Sequence, residues 1–173
     1  RKFKEDSIVL ATHNHGKVEE MQKLLEKFSD MRLYSSSDFN LEEPEEVGKT
    51  YLENARIKAE YTCNKTGLVC LSDDSGIEVN DLNGEPGVYT ADWSQKDGIR
   101  NFDYAMKRVW EELNNRDAPY PRKAQFRCTL VLMWPDNHAE VFEGTSEGTL
   151  IWPGRGKNGH GFDPMFTPKD YSL

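Results

Sequence analysis

Two adjacent carboxylates, Asp73 and Asp74, follow the apolar run Val69-Cys70-Leu71 and precede Ser75-Gly76. Neighbouring carboxylates repel, and burying them is costly unless a cation or hydrogen-bond donors lie close by. With a cation present, one carboxylate can ligate Mg²⁺ while the other orients or deprotonates water, a division of labour suited to phosphoryl-group hydrolysis. Asp-Asp-Ser-Gly also reads as an Asx-type hairpin turn, and both readings stand at this point.

Four further groups bear on such a site. Thr12-x-Asn14-x-x-Lys17 sits where a strand gives way to a helix. Free N–H groups and the positive helix end can hold phosphate there, with Gly16 admitting the backbone and Lys17 adding charge. Equally, Asn14 can simply cap the helix. Asn54 and Lys58, four apart, share a helical face from which a lysine can reach such a phosphate. Among the acids Glu42, Glu43, Glu45 and Glu46, one facing inward offers Mg²⁺ a hard oxygen, although charge runs usually face solvent. Near the end, Gly159-His160-Gly161-Phe162-Asp163 offers flat rings for stacking a base and a carboxylate to bond it, while Phe162 also suits a core. His13 and His15 have H-x-H spacing without a third metal ligand, and are read as loop residues.

The elements that position these groups follow from periodicity. Residues 7–11 form a buried strand, and Val18, Met21, Leu24, Leu25 and Phe28 mark the helix after it. Thr50 and Glu53 make a capping box opening a second helix that ends before Gly67. Residues 68–72 are expected as a strand, 73–76 as a tight turn and 77–79 as a returning strand, which puts both aspartates at a strand end. Phe102, Ala105, Met106, Val109, Trp110 and Leu113 give an amphipathic helix. Phe126, Cys128, Leu130 and Leu132 are expected to alternate on one face of a strand turned back by 135–137 into strands at 140–143 and 149–152. Helices interspersed with strands and late hairpins indicate an α/β domain on a mixed sheet.

A chain of 173 residues fits one domain, and the net charge of −8 opposes broad nucleic-acid binding while admitting a small anion with its cation. Cys63, Cys70 and Cys128 form no C-x-x-C pair or disulfide pattern, which points to a reducing cytoplasm. The apolar runs are too short for a membrane span, so no membrane partner is expected. The first residue is Arg1, and the chain stops soon after a Gly/Pro-rich stretch, so truncation at the C-terminus is expected.

Taken in order, Ala11-Thr12-x-Asn14-x-x-Lys17, Glu53-Asn54-Ala55-x-x-Lys58-Ala59, Asp73-Asp74-Ser75-Gly76-Ile77-Glu78-Val79, Gly84-x-Pro86-Gly87-Val88-Tyr89 and Gly161-Phe162-Asp163-Pro164 resemble the inosine triphosphate pyrophosphatase family over nearly the whole chain. That resemblance implies one ITPase-like domain spanning 1–173: an elongated mixed sheet flanked by helices, two lobes with a nucleotide cleft between them, and usually a homodimer. It implies Mg²⁺-dependent hydrolysis of purine nucleoside triphosphates outside the normal set (ITP, dITP, XTP) to the monophosphate and pyrophosphate. Thr12, His13, Asn14, His15, Gly16 and Lys17 would then hold phosphates, Lys58 would neutralise them, and Glu46 and Asp74 would hold the magnesium. Asp74 would accept the proton of water with Asp73 assisting, Ser75 would touch substrate, and His160, Gly161, Phe162 and Asp163 would border the base. Two departures from the family pattern stand out. His160 occupies the place of a usual aromatic, and the chain stops at Leu173, before the place of a later Ser-His-Arg segment that contacts the purine. A non-hydrolysing nucleotide-binding regulator and a pyrophosphatase for modified pyrimidine nucleotides are the competing readings.

Overall fold

Ile8, Val9 and Leu10 are buried in β1 (Ser7–Leu10), and the polar residues after them end the strand and open α1 (His15–Leu25). The computed structural model describes residues 1–28 and 30–170. β1 lies between β2 (Arg32–Ser35) and β3 (Cys70–Val79) and runs parallel to both, with Ser7 opposite Arg32 and Val9 opposite Cys70. A six-stranded mixed sheet results, ordered β2-β1-β3-β6-β7-β8, where β6 is Lys123–Met133, β7 is Ala139–Leu150 and β8 is Phe166–Pro168. The expected α/β class on a mixed sheet is thus observed. Residues cluster into two compact units, Arg1–Asp74 with Thr129–Glu143, and Ser75–Cys128 with the segment from Gly144 onward.

In the first unit, α2 (Tyr51–Thr66) is opened by Thr50, whose Oγ1 accepts the Glu53 N–H at 3.1 Å, and closed by Gly67 in the left-handed region at φ 67°. Ala55, Ala59 and Cys63 recur every fourth residue and pack with Ala11, Cys70, Val131 and Met133. Small side chains on one stripe bring a helix close to the strands beneath it. The apolar stripe expected to bury α1 behaves differently. No α1 residue is fully buried, and Leu24 stays 67% exposed and Phe28, just beyond the helix, 63% exposed. Leu25 and Phe28 instead border an apolar hollow of about 730 Å³ together with Leu71, Leu130, Leu132 and Phe142.

In the second unit, α4 (Phe102–Asn115) buries Ala105, Met106, Val109 and Leu113 against Ile77, Val79, Leu82 and Leu150. A short helix, α3 (Thr90–Trp93), and a two-stranded ribbon, β4 (Gln95–Lys96) with β5 (Ile99–Arg100), precede it.

Two expectations are corrected. Residues 73–76 make no turn: β3 runs unbroken from Cys70 to Val79, so both aspartates lie inside a strand. Gly76 is there for close approach, since a Cβ would come within 2.2 Å of the Gly87 carbonyl oxygen. β7 is likewise one strand, and a Cβ at Gly148 would meet the Thr167 carbonyl oxygen at 2.2 Å. In the Thr129–Met133 half of β6, the fully buried face is Thr129, Val131 and Met133, while Leu130 and Leu132 line the hollow. Apolar residues on both faces of that strand hide which face is inner.

Candidate active site

Successive side chains of a strand point to opposite faces, and the hydrogen bonds of Asp73 and Asp74 go to different elements. Asp73 Oδ2 accepts a hydrogen bond from Lys17 Nζ at 2.7 Å, and Asp74 Oδ2 accepts one from Asn54 Nδ2 at 3.2 Å. Just upstream, buried Ser72 donates from Oγ to the Ala55 carbonyl at 2.6 Å, fastening β3 to α2 beside the two acids. Lys58, one turn beyond Asn54, pairs with Glu46 at 2.8 Å. Lys17, Asp73, Asp74, Asn54, Lys58 and Glu46 therefore all belong to the first unit and form one connected group of charges and donors.

Electrostatics distinguish the two acids. Burial pushes the Asp74 carboxyl up from the ordinary 3.8 to about 6, the nearby charges of Glu46 and Asp73 add to this, and Lys58 and the Asn54 hydrogen bond oppose it. Burial works against the Lys58 ammonium, yet Asp73, Glu46 and Asp74 together raise it above its usual value. Lys58 therefore stays charged, and Asp74 is poised near neutrality. A carboxylate so tuned suits a proton acceptor working near neutral pH.

The segment carrying Glu46 is clamped onto the first turn of α2. Asn54 Oδ1 accepts the Gly48 N–H at 2.7 Å, and Glu53 Oε2 accepts the Lys49 N–H at 2.6 Å. Glu53 thus binds one residue ahead of the position a capping box names.

In the loop before α1, Asn14 is the helix cap, its Oδ1 accepting from Gly16 N at 3.0 Å and Lys17 N at 3.3 Å, while its own N–H donates to Thr12 Oγ1 at 3.1 Å. Three N–H groups expected to meet phosphate therefore have internal acceptors. His15 is exposed, and His13 is part-buried with Nε2 lacking a hydrogen-bond partner.

The second unit holds the remaining candidates. Ser75 is exposed on β3. His160 is exposed, and its N–H donates to Asp163 Oδ2 at 2.9 Å, closing a tight loop around Gly161 at φ 59°. Phe162 is only 2% exposed, sits in the α4 core and meets Phe102 edge-on at 6.1 Å. The structure thus gives Phe162 the core place that was its second reading, with no open face on its own ring.

Sequence reasoning gave Asn54, Gly48 and Ser72 no site role. Asn54 had one available signal, its four-residue spacing from Lys58.

Residues 8–173 match the Ham1 family. A dITP/XTP pyrophosphatase of Ruegeria pomeroyi is 52% identical over 173 residues, spanning 100% of this chain and 84% of that relative. One from Bartonella quintana is 47% identical over 174 residues, spanning 99% and 80%. Among solved structures, a HAM1 protein from Coxiella burnetii aligns with a TM-score of 0.83 at 36% identity, covering 92% of this chain and 80% of that one. A nucleoside-triphosphatase / dITP/XTP pyrophosphatase from Mycobacterium abscessus gives 0.77 at 34%, covering 95% and 84%. Sequence and fold agree with the resemblance drawn from the ordered motifs, and the chain belongs to the Ham1 family.

Proposed function

We propose that this chain hydrolyses ITP, dITP and XTP to the nucleoside monophosphate and pyrophosphate. The observation that carries the reading is Asp74, a part-buried carboxyl held near neutrality and set among Asn54, Lys58, Glu46 and Asp73. The activity for which the relatives are named, dITP/XTP pyrophosphatase, supports the substrate class.

Magnesium suits this donor set. Glu46, Asp73 and Asp74 are hard oxygen donors close enough for the charges of Glu46 and Asp73 to raise Asp74. Among the described residues no three His, Cys, Asp or Glu side chains form a ready-made cage, which fits a cation shared with substrate phosphates and water. Glu46 and Asp74 would hold it, and when bound it supplies charge neutralisation and Lewis acidity at the phosphates.

Asp74 accepts a proton from the water that attacks the α-phosphorus, and the bond to the pyrophosphate oxygen breaks. Asp73 assists by holding Lys17, while Lys17 and Lys58 offset the charge gathering on the leaving pyrophosphate. The loop from Thr12 to Lys17 binds the phosphates, Ser75 contacts the substrate, and His160, Gly161 and Asp163 border the base. Phe162 supports that border from the core. Three free thiols accord with a reducing cytoplasm, and the family resemblance supports a homodimer.

A panel of ITP, dITP, XTP, ATP, GTP and modified pyrimidine triphosphates, assayed with Mg²⁺ for pyrophosphate release, tests the proposal. Turnover of the inosine and xanthosine nucleotides far above ATP is expected. Equal turnover of ATP and ITP would overturn the substrate class, and binding without turnover would favour the regulator. Light scattering on the eluting protein tests the dimer.

A further inference from the structure

We infer that Asn54 is a positioning residue for the reaction, holding the Asp74 carboxylate with one end of its amide and the Glu46-bearing segment with the other. The inference rests on the role proposed for Asp74.

Asn54 is 4% exposed, so both ends of its amide must find partners within the protein. The Gly48 N–H can only donate, and at 2.7 Å it fixes Oδ1 as the atom it meets. Nδ2 is then the end that faces Asp74 Oδ2 at 3.2 Å, a donor facing an acceptor. The amide cannot flip without setting N–H against N–H at Gly48 and oxygen against oxygen at Asp74. This hydrogen bond holds one oxygen of the Asp74 carboxylate, Oδ2, toward α2 and so restricts how the carboxylate turns.

Residue 48 is matched to this arrangement. A Cβ there would stand 2.5 Å from Asn54 Oδ1 and 2.7 Å from Glu53 Cβ, so the segment can come within hydrogen-bond reach only as glycine. Two residues before it, Glu46 pairs with Lys58 on the next turn of the same helix. The separation between Glu46 and Asp74 is therefore set through the first two turns of α2. Misplacing a catalytic group by an ångström costs on the order of 100-fold in rate, which gives such a brace a measurable effect.

Asn54→Asp separates positioning from packing. It is nearly isosteric and keeps an acceptor for the Gly48 N–H, but it replaces the donor facing Asp74 with a second carboxylate. Asn54→Ser, too short for either partner, serves if the first variant fails to fold. Both are compared with wild type on dITP and Mg²⁺ at a pH well above neutrality, where the new acid is ionised, with circular dichroism and thermal melts as folding controls. The expected result for a folded variant is a fall in kcat of about 30-fold or more with KM changed by less than about threefold. A kcat within about threefold of wild type, or a loss carried entirely by KM, would overturn the inference. A wild-type enzyme inactive on every triphosphate of the panel would instead refute the proposed function.

Discussion

Asp74 carries a cost that its removal should expose. Its carboxyl is raised from the ordinary 3.8 to about 6 by burial first, so ionising it works against the fold. A shift of that size corresponds to about 3 kcal/mol, which partial solvent exposure reduces to about 1–2 kcal/mol. Stability contributed by the protonated group is fully present below pH 3.8 and is lost as pH rises through about 6. Asp74→Asn should therefore melt with metal-free wild type at low pH and above it at pH 7.5, by about 1–2 kcal/mol, while losing about 100-fold or more in turnover. Parallel denaturation curves at the two pH values, beside an assay, check both halves; a variant that is less stable at pH 7.5 contradicts the burial account. Lys58→Met removes the ammonium that opposes the rise at Asp74 and leaves Glu46 unpaired. Its kcat/KM should fall by about 100-fold or more, and the pH at which activity switches on should move upward, as a pH–rate profile reports.

At the scale of elements, α2 carries the site and rests on small residues. Ala59→Leu forces a branched side chain into the contact with Cys70 and Val131, and should cost about 1–3 kcal/mol in chemical denaturation. Gly76→Ala should cost about 2–4 kcal/mol by the same measurement, because the new methyl meets backbone at Gly87 and little there can yield. These glycines also explain what the sequence concealed. β1, α2 and α4 were legible because their apolar spacing and caps agree, Ala105, Val109 and Leu113 on α4 above all. Gly76 and Gly148 look like punctuation, yet both lie inside long strands where another backbone passes close, and only the fold tells a turn glycine from a close-approach one. The two-residue ribbon β4–β5, turning at Asp97 and Gly98 with φ 53° and 77°, had an Asp-Gly signal, but such short strands carry no period. At the site, residue types that bear charge were readable from spacing. The bridging amide of Asn54 was not, because its partners Gly48 and Asp74 lie on opposite sides of it in the chain and only the packing of α2 brings them together.

For the molecule as a whole, membership of the Ham1 family sets the chain beside relatives named dITP/XTP pyrophosphatase. Chelation of divalent ions should abolish turnover while shifting the melting temperature by no more than about 2–4 °C, since Lys17 and Lys58 already neutralise Asp73 and Glu46 without a metal. Lys17 held by Asp73 and Lys58 held by Glu46 have one more consequence. At rest these two lysines resemble the sites of a loaded ion exchanger, each holding an internal counterion. Triphosphate arriving alone would take the lysines and leave two bare acids, and a divalent ion arriving alone would do the reverse. The magnesium–triphosphate complex brings an anion for the lysines and a cation for the acids in one step, so neither kind of group is left bare. Calorimetric titration with inorganic triphosphate should accordingly show binding about tenfold or more weaker in chelator than in excess Mg²⁺. Lys17→Met together with Asp73→Asn, which empties one exchange pair, should narrow that gap.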